Sequence, residues 1–425
     1  MRCGPLRLGL LALAATVAAA SAQAAADALN LLALHQRAEQ QAPQMHSAEA
    51  ARAEQQALVA LAGSRLGPQL ALQWDRTGGS SAQGPQQGTL SLNQPLLQAE
   101  QWLAKRAQQQ RLAARELDAD HAAQQLRQLS ATLYVQWHAQ TQLLATQQQL
   151  AQAYAQEAAR MQVRLREGLA AAVDWRQSQS FQWLAEANAR GAAQQLGALR
   201  HQLVAHSGDA ALLDAPLVPL AAQALPPVPD SASALSAPLI NSLRREQAAR
   251  EDELGAARRA GWPQLSLAVQ AQRDLQGPTG LASRKSWQLE LRLPLWDSGE
   301  RAAGRAAAQA RLATSAALLS QAEREQQRLL ATALERLDAA REQHATAQGA
   351  LEAAAQAVSA MRVGQEQGSR STSDVLLALQ TQTQLRQLAA QAQADAWVAW
   401  IEALAAQGRF DAAALLLLNT FLETR

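Results

Sequence analysis

The chain contains two copies of one pattern, and this duplication constrains the fold more than any other feature. A series of Met, Val, Gly and Asp recurs 200 positions later with the same internal spacing. The two series are Met161, Val163, Gly168 and Asp174, then Met361, Val363, Gly368 and Asp374. Upstream of each series stand a Pro-Gln-Leu tripeptide and then a Pro-Leu pair, beginning at Pro68 and Pro95, then at Pro263 and Pro294. Three ordered matches at a nearly constant offset predict a tandem repeat of one structural unit.

Each copy contains a segment with the composition of a very long helix. Residues 99–166 lack proline and glycine, and residues 305–361 lack proline and contain only Gly349. About 68 residues in one helix would extend roughly 100 Å. In the first segment, apolar residues and glutamines recur at intervals of three and four, namely Leu126, Leu129, Leu133, Trp137, Gln140, Leu143 or Leu144, Gln147, Leu150 and Tyr154. This spacing predicts a coiled-coil seam in a mainly α fold.

Both long helices run into the Gly-x5-Asp motif, which predicts the tip of a helical hairpin in each copy. Gly168 and Gly368 can adopt the left-handed conformation that ends a helix. Asp174 and Asp374 can then cap the return helix through its free N–H groups. We therefore expect tips at about 167–174 and 364–374, with return helices to about His206 and Gln407.

Two short segment pairs alternate large apolar and polar residues, which predicts a β-hairpin at about 69–95 and another at about 264–294. Period-2 alternation separates the residues onto two faces of a sheet. In the second hairpin the apolar face holds Leu267, Val269, Leu289 and Leu291, and the polar face holds Gln270, Gln272, Gln288, Glu290 and Arg292. A buried sheet of an ordinary soluble domain would show such a pattern. A membrane barrel, with lipid-facing leucines and lumen-facing polar residues, would show it too and is the interpretation we favour.

Four strands cannot close a membrane barrel, because about eight are needed at minimum. A barrel built from this chain therefore requires several copies of it. Three copies would supply 12 strands, and closure would remove the unpaired strand edges.

The sequence divides into four parts, which are a signal peptide, two repeats and the linker between them. Residues 1–24 are typical of a signal peptide: Arg2 and Arg7 precede an apolar run, and small residues predict cleavage after Ala24 or Ala22. An uncleaved anchor is the alternative. Because the sole cysteine, Cys3, precedes the apolar run, we expect no lipid anchor. Repeat 1 then covers 25–213, repeat 2 covers 239–425, and a linker at 214–238 holds six of the 14 prolines.

The remaining chemistry argues against catalysis and against nucleic-acid binding. The net charge is only +2, and basic residues alternate with acidic ones rather than forming a block. The seven histidines are scattered, with no metal-ligand spacing. Phosphate-binding loops, nucleophile elbows and zinc-protease motifs do not occur in the sequence. We expect no enzyme activity, no cofactor and no metal site.

These features together resemble the TolC-like outer-membrane efflux proteins of Gram-negative bacteria. The resemblance rests on the duplication, on the two Pro-bounded hairpins and on the segment from Glu366 to Leu376, which is similar to the family's Gly…Asp-Val-Leu tip. It implies a homotrimer with a 12-stranded barrel in outer-membrane lipid and a coiled-coil barrel of 12 helices in the periplasm. It also implies a passive exit path for efflux or type I secretion, opened by a periplasmic adaptor protein and supplied by an inner-membrane pump.

Carried onto this chain, the resemblance assigns roles to the two tips. It implies that Gly168 and Gly368 are tip turns that contact the adaptor, and that Asp174 and Asp374 mark the gate. The sequence departs from the family where some members carry a second acidic residue, since Leu377 follows Asp374 by three positions. Trp175 after Asp174 is a further departure, so the first tip matches less closely.

A periplasmic adaptor, or another coiled-coil scaffold protein, is the competing interpretation because adaptors also contain helical hairpins. They usually carry one hairpin between halves of small β-rich domains. This chain has two, each preceded by an amphipathic strand pair, which favours the channel. Recovery in the soluble periplasmic fraction without detergent would support the adaptor instead.

Overall fold

The computed structural model describes residues 30–76, 86–208, 225–226, 237–274, 283–367 and 369–423. Within these ranges the chain is mainly helical with one small antiparallel sheet, which confirms the predicted fold class at this level. The predicted signal peptide, most of the linker and both loops that join the strands lie outside the described residues.

The helices follow the repeat pattern. They are α1 (Leu31–Gln41), α2 (Pro43–Ser64), α3 (Ala99–Arg166), α4 (Ala172–Ser207), α5 (Pro238–Arg259), α6 (Glu300–Glu366), α7 (Thr372–Ala406) and α8 (Ala412–Glu423). The α3 helix has 68 residues and α6 has 67. None of the helices in the described ranges is both long enough and apolar enough to cross a membrane.

Four strands form one sheet in the order β1-β2-β3-β4, and every neighbouring pair is antiparallel. They are β1 (Gln69–Arg76), β2 (Gln86–Leu97), β3 (Gln264–Asp274) and β4 (Ser283–Arg292). The β-hairpins of the two repeats thus pair with each other through β2 and β3. The register shifts between Pro95 and Leu97, where proline has no N–H to donate to the ladder.

The chain divides into two compact units. The sheet unit comprises Gln44–Ala122 and Leu235–Gln326, and the hairpin unit comprises Met1–Pro43, Ala123–Ala234 and Gln327–Arg425. Each unit contains segments from both repeats, because the strands and the helical tips of the two copies associate with their counterparts.

In the sheet unit, small residues on α3 and α5 are buried at seven-residue spacing. Ala107 and Ala114 on α3 and Ala249 and Ala256 on α5 are all nearly inaccessible. Alanine at such positions lets neighbouring helices approach closely, as in a coiled coil. Beside these alanines Arg111 of α3 forms ion pairs with Glu246 and Glu253 of α5.

In the hairpin unit, the α3 seam keeps a heptad over several turns. Two interleaved series have seven-residue spacing, one of Leu126, Leu133, Gln140, Gln147, Tyr154 and Met161, the other of Ser130, Trp137, Leu144, Ala151 and Ala158. All of them are buried or half-buried. Leu129, which we expected in the seam, is 43% exposed, and Ser130 takes the inward position. The difference arises because a strict 3-4 alternation runs from Leu126 through Ser130 to Leu133, which turns Leu129 outward.

Large aromatic residues of α3 and α7 form the centre of the hairpin unit. Tyr134, Trp397 and Trp400 are each at most 2% exposed, and the two indoles meet edge to face at 6.1 Å between ring centres. Trp400 Nε1 donates a hydrogen bond to the Pro226 carbonyl at 3.0 Å, and Arg341 donates to the same oxygen at 3.3 Å. Part of the linker is therefore fixed against this core.

A buried polar cluster joins α1, α3 and the end of α4. Ser130 Oγ donates to the Leu126 carbonyl at 2.9 Å and lies 3.3 Å from His35 Nδ1 and 2.8 Å from His206 Nε2. While the Ser130 hydroxyl donates its proton to the Leu126 carbonyl, an imidazole that hydrogen-bonds to Ser130 does so through an N–H. Burial lowers the pKa of His35, where Glu39 opposes the shift and Arg127 adds to it. Burial and the neighbouring His35 lower the pKa of His206.

These lowered pKa values predict that acid destabilises the hairpin unit. Below the ordinary histidine pKa of 6.5 the unfolded chain binds protons that the folded cluster resists, so stability is complete above 6.5 and falls as the pH drops toward the folded pKa values. His206→Gln keeps an N–H donor without a titrating group, so its melting temperature should fall less between pH 7.5 and 5.5. Thermal unfolding in detergent, followed by circular dichroism, measures this.

The matched control is His201→Gln, which removes an exposed histidine from the same helix. This variant should retain the pH slope of the unchanged protein. Equal pH slopes for His206→Gln and the unchanged protein would contradict a role for the cluster.

Candidate functional site

One face of the sheet is apolar across all four strands. The register aligns Leu70, Leu92, Val269 and Trp287 in one row from β1 to β4. Adjacent rows pair Leu267 with Leu289 and Leu265 with Leu291 on the same face. Leu72 is 76% exposed, Trp287 75% and Leu291 66%. Leaving such side chains in water forgoes roughly 1.5–3 kcal/mol each relative to burial, so this face requires an apolar environment.

The opposite face of the sheet is polar. Gln270 pairs with Ser286, Gln272 with Arg284 and Gln288 with Ala268, while Glu290 and Arg292 lie opposite Ser266 and Gln264. Arg292 donates to Glu290 at 2.9 Å along the same face of β4. The structure therefore brings together the residues that we predicted to be lumen-facing and separates them from Leu267, Val269, Leu289 and Leu291.

Lys285 and Arg273 lie on the apolar face toward the loop end of the strands, and Gln94 of β2 lies on this face opposite Leu267. The Gln94 Nε2 donates to the Leu66 carbonyl at 3.1 Å and to the Pro95 carbonyl at 2.8 Å. Both bonds direct the amide nitrogen of Gln94 toward the helix end of the sheet, so its N–H groups have acceptors within the chain.

The sheet ends at β1 and β4, and neither of these strands has a second partner strand in the described part of the chain. An exposed strand edge presents unpaired N–H and C=O groups to another chain. The two edges and the apolar face together make the sheet a fragment that needs further strands.

At the first tip, α3 ends in a Schellman motif. Gly168 has a φ of +74°, its N–H bonds to the Leu165 carbonyl at 3.1 Å, and the Leu169 N–H bonds to the Arg164 carbonyl at 2.8 Å. A Cβ on Gly168 would contact nothing within 4 Å, so the backbone conformation alone calls for glycine here.

The second tip repeats the bond that spans five residues. The Ser369 N–H bonds to the Gly364 carbonyl at 2.8 Å, 200 residues after the bond from Leu169 to Arg164. Gly368 itself lies outside the described residues.

The two tips differ at the start of the return helix. Ser371 caps α7: its Oγ accepts from the Asp374 N–H at 3.2 Å, and Asp374 Oδ2 accepts from the Ser371 N–H at 3.0 Å. The hydrogen bonds from Ser371, with Arg370 nearby, lower the pKa of the Asp374 carboxyl. In α4 the corresponding cap is Ala171, which has no side-chain oxygen, so Asp174 lies in the first turn without a reciprocal cap. Both aspartates occupy the third helical position rather than the cap that we expected.

Side-chain contacts join the two tips inside the hairpin unit. Ser373 Oγ donates to Gln177 Oε1 at 3.2 Å, which links α7 to α4. Tyr154 of α3 donates its hydroxyl to the Leu376 carbonyl at 3.1 Å and packs on Phe181, with ring centres 5.5 Å apart. Burial raises the pKa of Tyr154 to about 12, so this donor stays protonated at physiological pH.

A shallow groove of about 270 Å³ lies beside Asp374 at the second tip. Leu377 lines it together with Met361 and Arg370, and the Leu377 side chain is 59% exposed. The position where some family members carry a second acid is therefore apolar and accessible here. Groups of three or more His, Cys, Asp or Glu side chains placed to share a metal ion are absent from the described ranges.

Sequence reasoning missed Ser371 as the partner of Asp374. The signal was present, because Ser-x-x-Asp at the start of an apolar helix is the sequence pattern of a capping box. It also missed the hydrogen bond from the Tyr154 hydroxyl to the Leu376 carbonyl. A position in the helical seam predicts that the ring is buried, but it does not identify the acceptor of the hydroxyl.

The fold defined by these elements is that of outer-membrane channel subunits, as solved structures show. The open-state MtrE channel of Neisseria gonorrhoeae superposes with a TM-score of 0.78 at 18% identity, covering 89% of this chain and 89% of that one. VceC of Vibrio cholerae superposes with a TM-score of 0.75 at 18% identity, covering 89% of this chain and 96% of that one. CmeC of Campylobacter jejuni superposes with a TM-score of 0.76 at 14% identity, covering 92% of this chain and 90% of that one.

The chain belongs to the outer membrane efflux protein family, which it matches over residues 34–219 and 231–409. A search among curated proteins gave no match. Membership confirms the TolC-like resemblance and makes the chain an efflux channel protein of the outer membrane. Because this family consists of channels, membership also confirms that the chain is not an enzyme.

The unequal caps predict unequal effects of matched substitutions at the tips. Ser371→Ala removes the cap of α7 and should speed amide hydrogen exchange in residues 372–376 about fivefold. Ala171→Ser places an oxygen at the corresponding position of α4 and should slow exchange in residues 172–176 by a similar factor. Hydrogen–deuterium exchange with mass spectrometry measures both segments in one experiment. Unchanged exchange at 372–376 in Ser371→Ala would contradict the capping role.

Proposed function

We propose that three copies of this chain form a closed barrel of 12 strands in the outer membrane and a passive exit path for cargo. The observation that carries the proposal is the sheet: four strands with one continuous apolar face, one polar face and two free edges. Pairing of β4 of one copy with β1 of the next would satisfy both edges. Three copies would exceed the minimum of about eight strands for a membrane barrel.

The faces of the sheet assign the interior and the exterior of this barrel. Leu267, Val269, Leu289 and Leu291 would face lipid, where leaving water stabilises them. Gln270, Gln272, Gln288, Glu290 and Arg292 would line a water-filled lumen. The Arg292–Glu290 pair leaves that lining with little net charge, which suits a conduit for varied cargo.

The hairpin tips are proposed as the entrance that a periplasmic adaptor contacts and opens. Gly168 and Asp174 at the first tip, with Gly368 and Asp374 at the second, mark the turns. Hydrogen bonds of Ser373 and Tyr154 join α7 to both helices of the first hairpin. Opening of the entrance would therefore either break these bonds or move the joined helices together. Cargo would be supplied by an inner-membrane pump, and the channel would add no driving force of its own.

Leu377 shapes the expected selectivity of this entrance. The carboxyl of Asp374 already accepts hydrogen bonds from its own helix end, and Leu377 supplies no second carboxylate. We therefore expect weaker cation binding at the entrance than in relatives with two acidic residues per copy.

Conductance in planar lipid bilayers tests the proposal. The full-length chain, extracted from outer membranes, should insert and give an ohmic conductance without nucleotide or adaptor, raised when the hairpin contacts are loosened by Tyr154→Phe. Insertion of the protein with no ion conductance in either form would overturn the conduit.

The assignment of the faces predicts opposite outcomes for matched arginine substitutions in β3 and β4. Leu267→Arg or Leu291→Arg should destabilise the inserted protein by about 2–4 kcal/mol, because a charge would enter lipid. Gln270→Arg should have little effect, since its side chain would reach water in the lumen. Urea unfolding from lipid vesicles gives the free energies, and equal losses for the two classes would show the faces to be misassigned.

A further inference from the structure

The antiparallel sheet brings four helix ends to one of its ends. Gln69 pairs with Asn93, Leu97 with Leu265 and Gln264 with Arg292, so the starts of β1 and β3 lie beside the ends of β2 and β4. The C-termini of α2 and α5 and the N-termini of α3 and α6 therefore meet this end of the sheet.

Exposed tryptophans and arginines concentrate at these four junctions. Trp296 is 85% exposed, Trp102 59% and Trp262 53%. Arg65 and Arg258 are also exposed, and the guanidinium of Arg259 lies 5.3 Å from the Trp262 ring centre. We call these six residues, Trp102, Trp262, Trp296, Arg65, Arg258 and Arg259, the strand-base collar.

The charges of the collar are free for an external anion. None of its three arginines has a carboxylate partner in the ranges that the structure describes. The nearby Asp297 is different, because it pairs with Arg301, whose guanidinium also donates to the Pro294 carbonyl at 3.0 Å. That pair fixes the turn after β4. Glu100 and Glu300 also lie at these junctions, in the first turns of α3 and α6, so the three collar arginines exceed these two carboxylates by one positive charge.

Indole rings favour the boundary between hydrocarbon and headgroups, since their body is apolar and their N–H is polar. Arginine stems can lie along apolar surface while the guanidinium reaches phosphate oxygens, which it binds with two parallel hydrogen bonds. The collar lies next to the end of the apolar face of the sheet. Its indoles and its guanidinium groups are therefore at the level where hydrocarbon would give way to headgroups.

We propose that the strand-base collar binds anionic phospholipid headgroups of the leaflet nearest the helices and sets the depth of the sheet in the bilayer. Trp102, Trp262 and Trp296 lie at the headgroup boundary, and Arg65, Arg258 and Arg259 hold lipid phosphates. This rests on the proposed insertion of the sheet into the outer membrane.

Lipid titration of the delipidated full-length protein in detergent tests this inference. Short-chain phosphatidylglycerol should raise the melting temperature at lower concentration than short-chain phosphatidylcholine does. Arg258→Gln/Arg259→Gln should weaken phosphatidylglycerol binding about 30-fold, since each basic residue near an anionic surface contributes on the order of a factor of five. Phosphatidylcholine binding should change little.

The matched control is Arg311→Gln/Arg362→Gln, which removes two exposed arginines of α6 and the same total charge. It should retain the phosphatidylglycerol affinity of the unchanged protein. Equal affinity for the two lipids, or retained phosphatidylglycerol affinity in Arg258→Gln/Arg259→Gln, would overturn the proposal. If that variant lost its oligomeric mass and kept its lipid affinity, the collar would be a contact between copies instead.

Membrane fractionation of the same samples separates this inference from the function that it rests on. A chain absent from the outer-membrane fraction would contradict the channel. A chain that inserts normally and shows no preference for phosphatidylglycerol would contradict the collar alone.

Discussion

The structure depends on a sheet that one chain cannot complete. Its apolar face holds rows such as Leu70, Leu92, Val269 and Trp287, which are costly to leave in water. Its edge strands β1 and β4 also carry backbone groups without a partner strand in the described ranges. In the proposed barrel, lipid would cover the face and neighbouring copies would pair with the edges, so insertion and assembly would be two parts of one requirement.

The helices meet a different requirement, which is to pack over great length with small side chains. Ala107 and Ala114 in the sheet unit, like Ala333 and Ala340 in the hairpin unit, are buried at seven-residue spacing. Each alanine buries little area, so stability accumulates along the seam rather than in one core. The exception is the cluster around Trp397 and Trp400, where the hairpin unit has a conventional aromatic core.

Features with a strict period could be predicted from the sequence. Alternation in β3 and β4 determined the two faces, and the 200-residue offset located both helical tips, because these patterns reflect local geometry alone. The four strands, the two long helices and their return helices follow from the same reasoning, whereas α8 was not predicted. The role of each face in a membrane remains a prediction, as do the domain boundaries.

Features that depend on contacts distant in sequence could not be predicted. Ser130 takes the inward position in the seam, and its hydroxyl there meets two histidines from α1 and α4 that no local pattern identifies as its partners. The difference between the tips rests on one atom, the Oγ that Ser371 has and Ala171 lacks, although the motif spacing is identical. The pairing of β2 with β3 joins the two repeats, and no local signal in either strand identifies its partner.

Native mass spectrometry of the chain extracted from outer membranes tests the central claim most directly, because the sheet cannot be complete in one copy. We expect a single species with the mass of three chains that persists in mild detergent. A stable monomer or dimer, recovered from the membrane in folded form, would contradict a barrel shared by three chains.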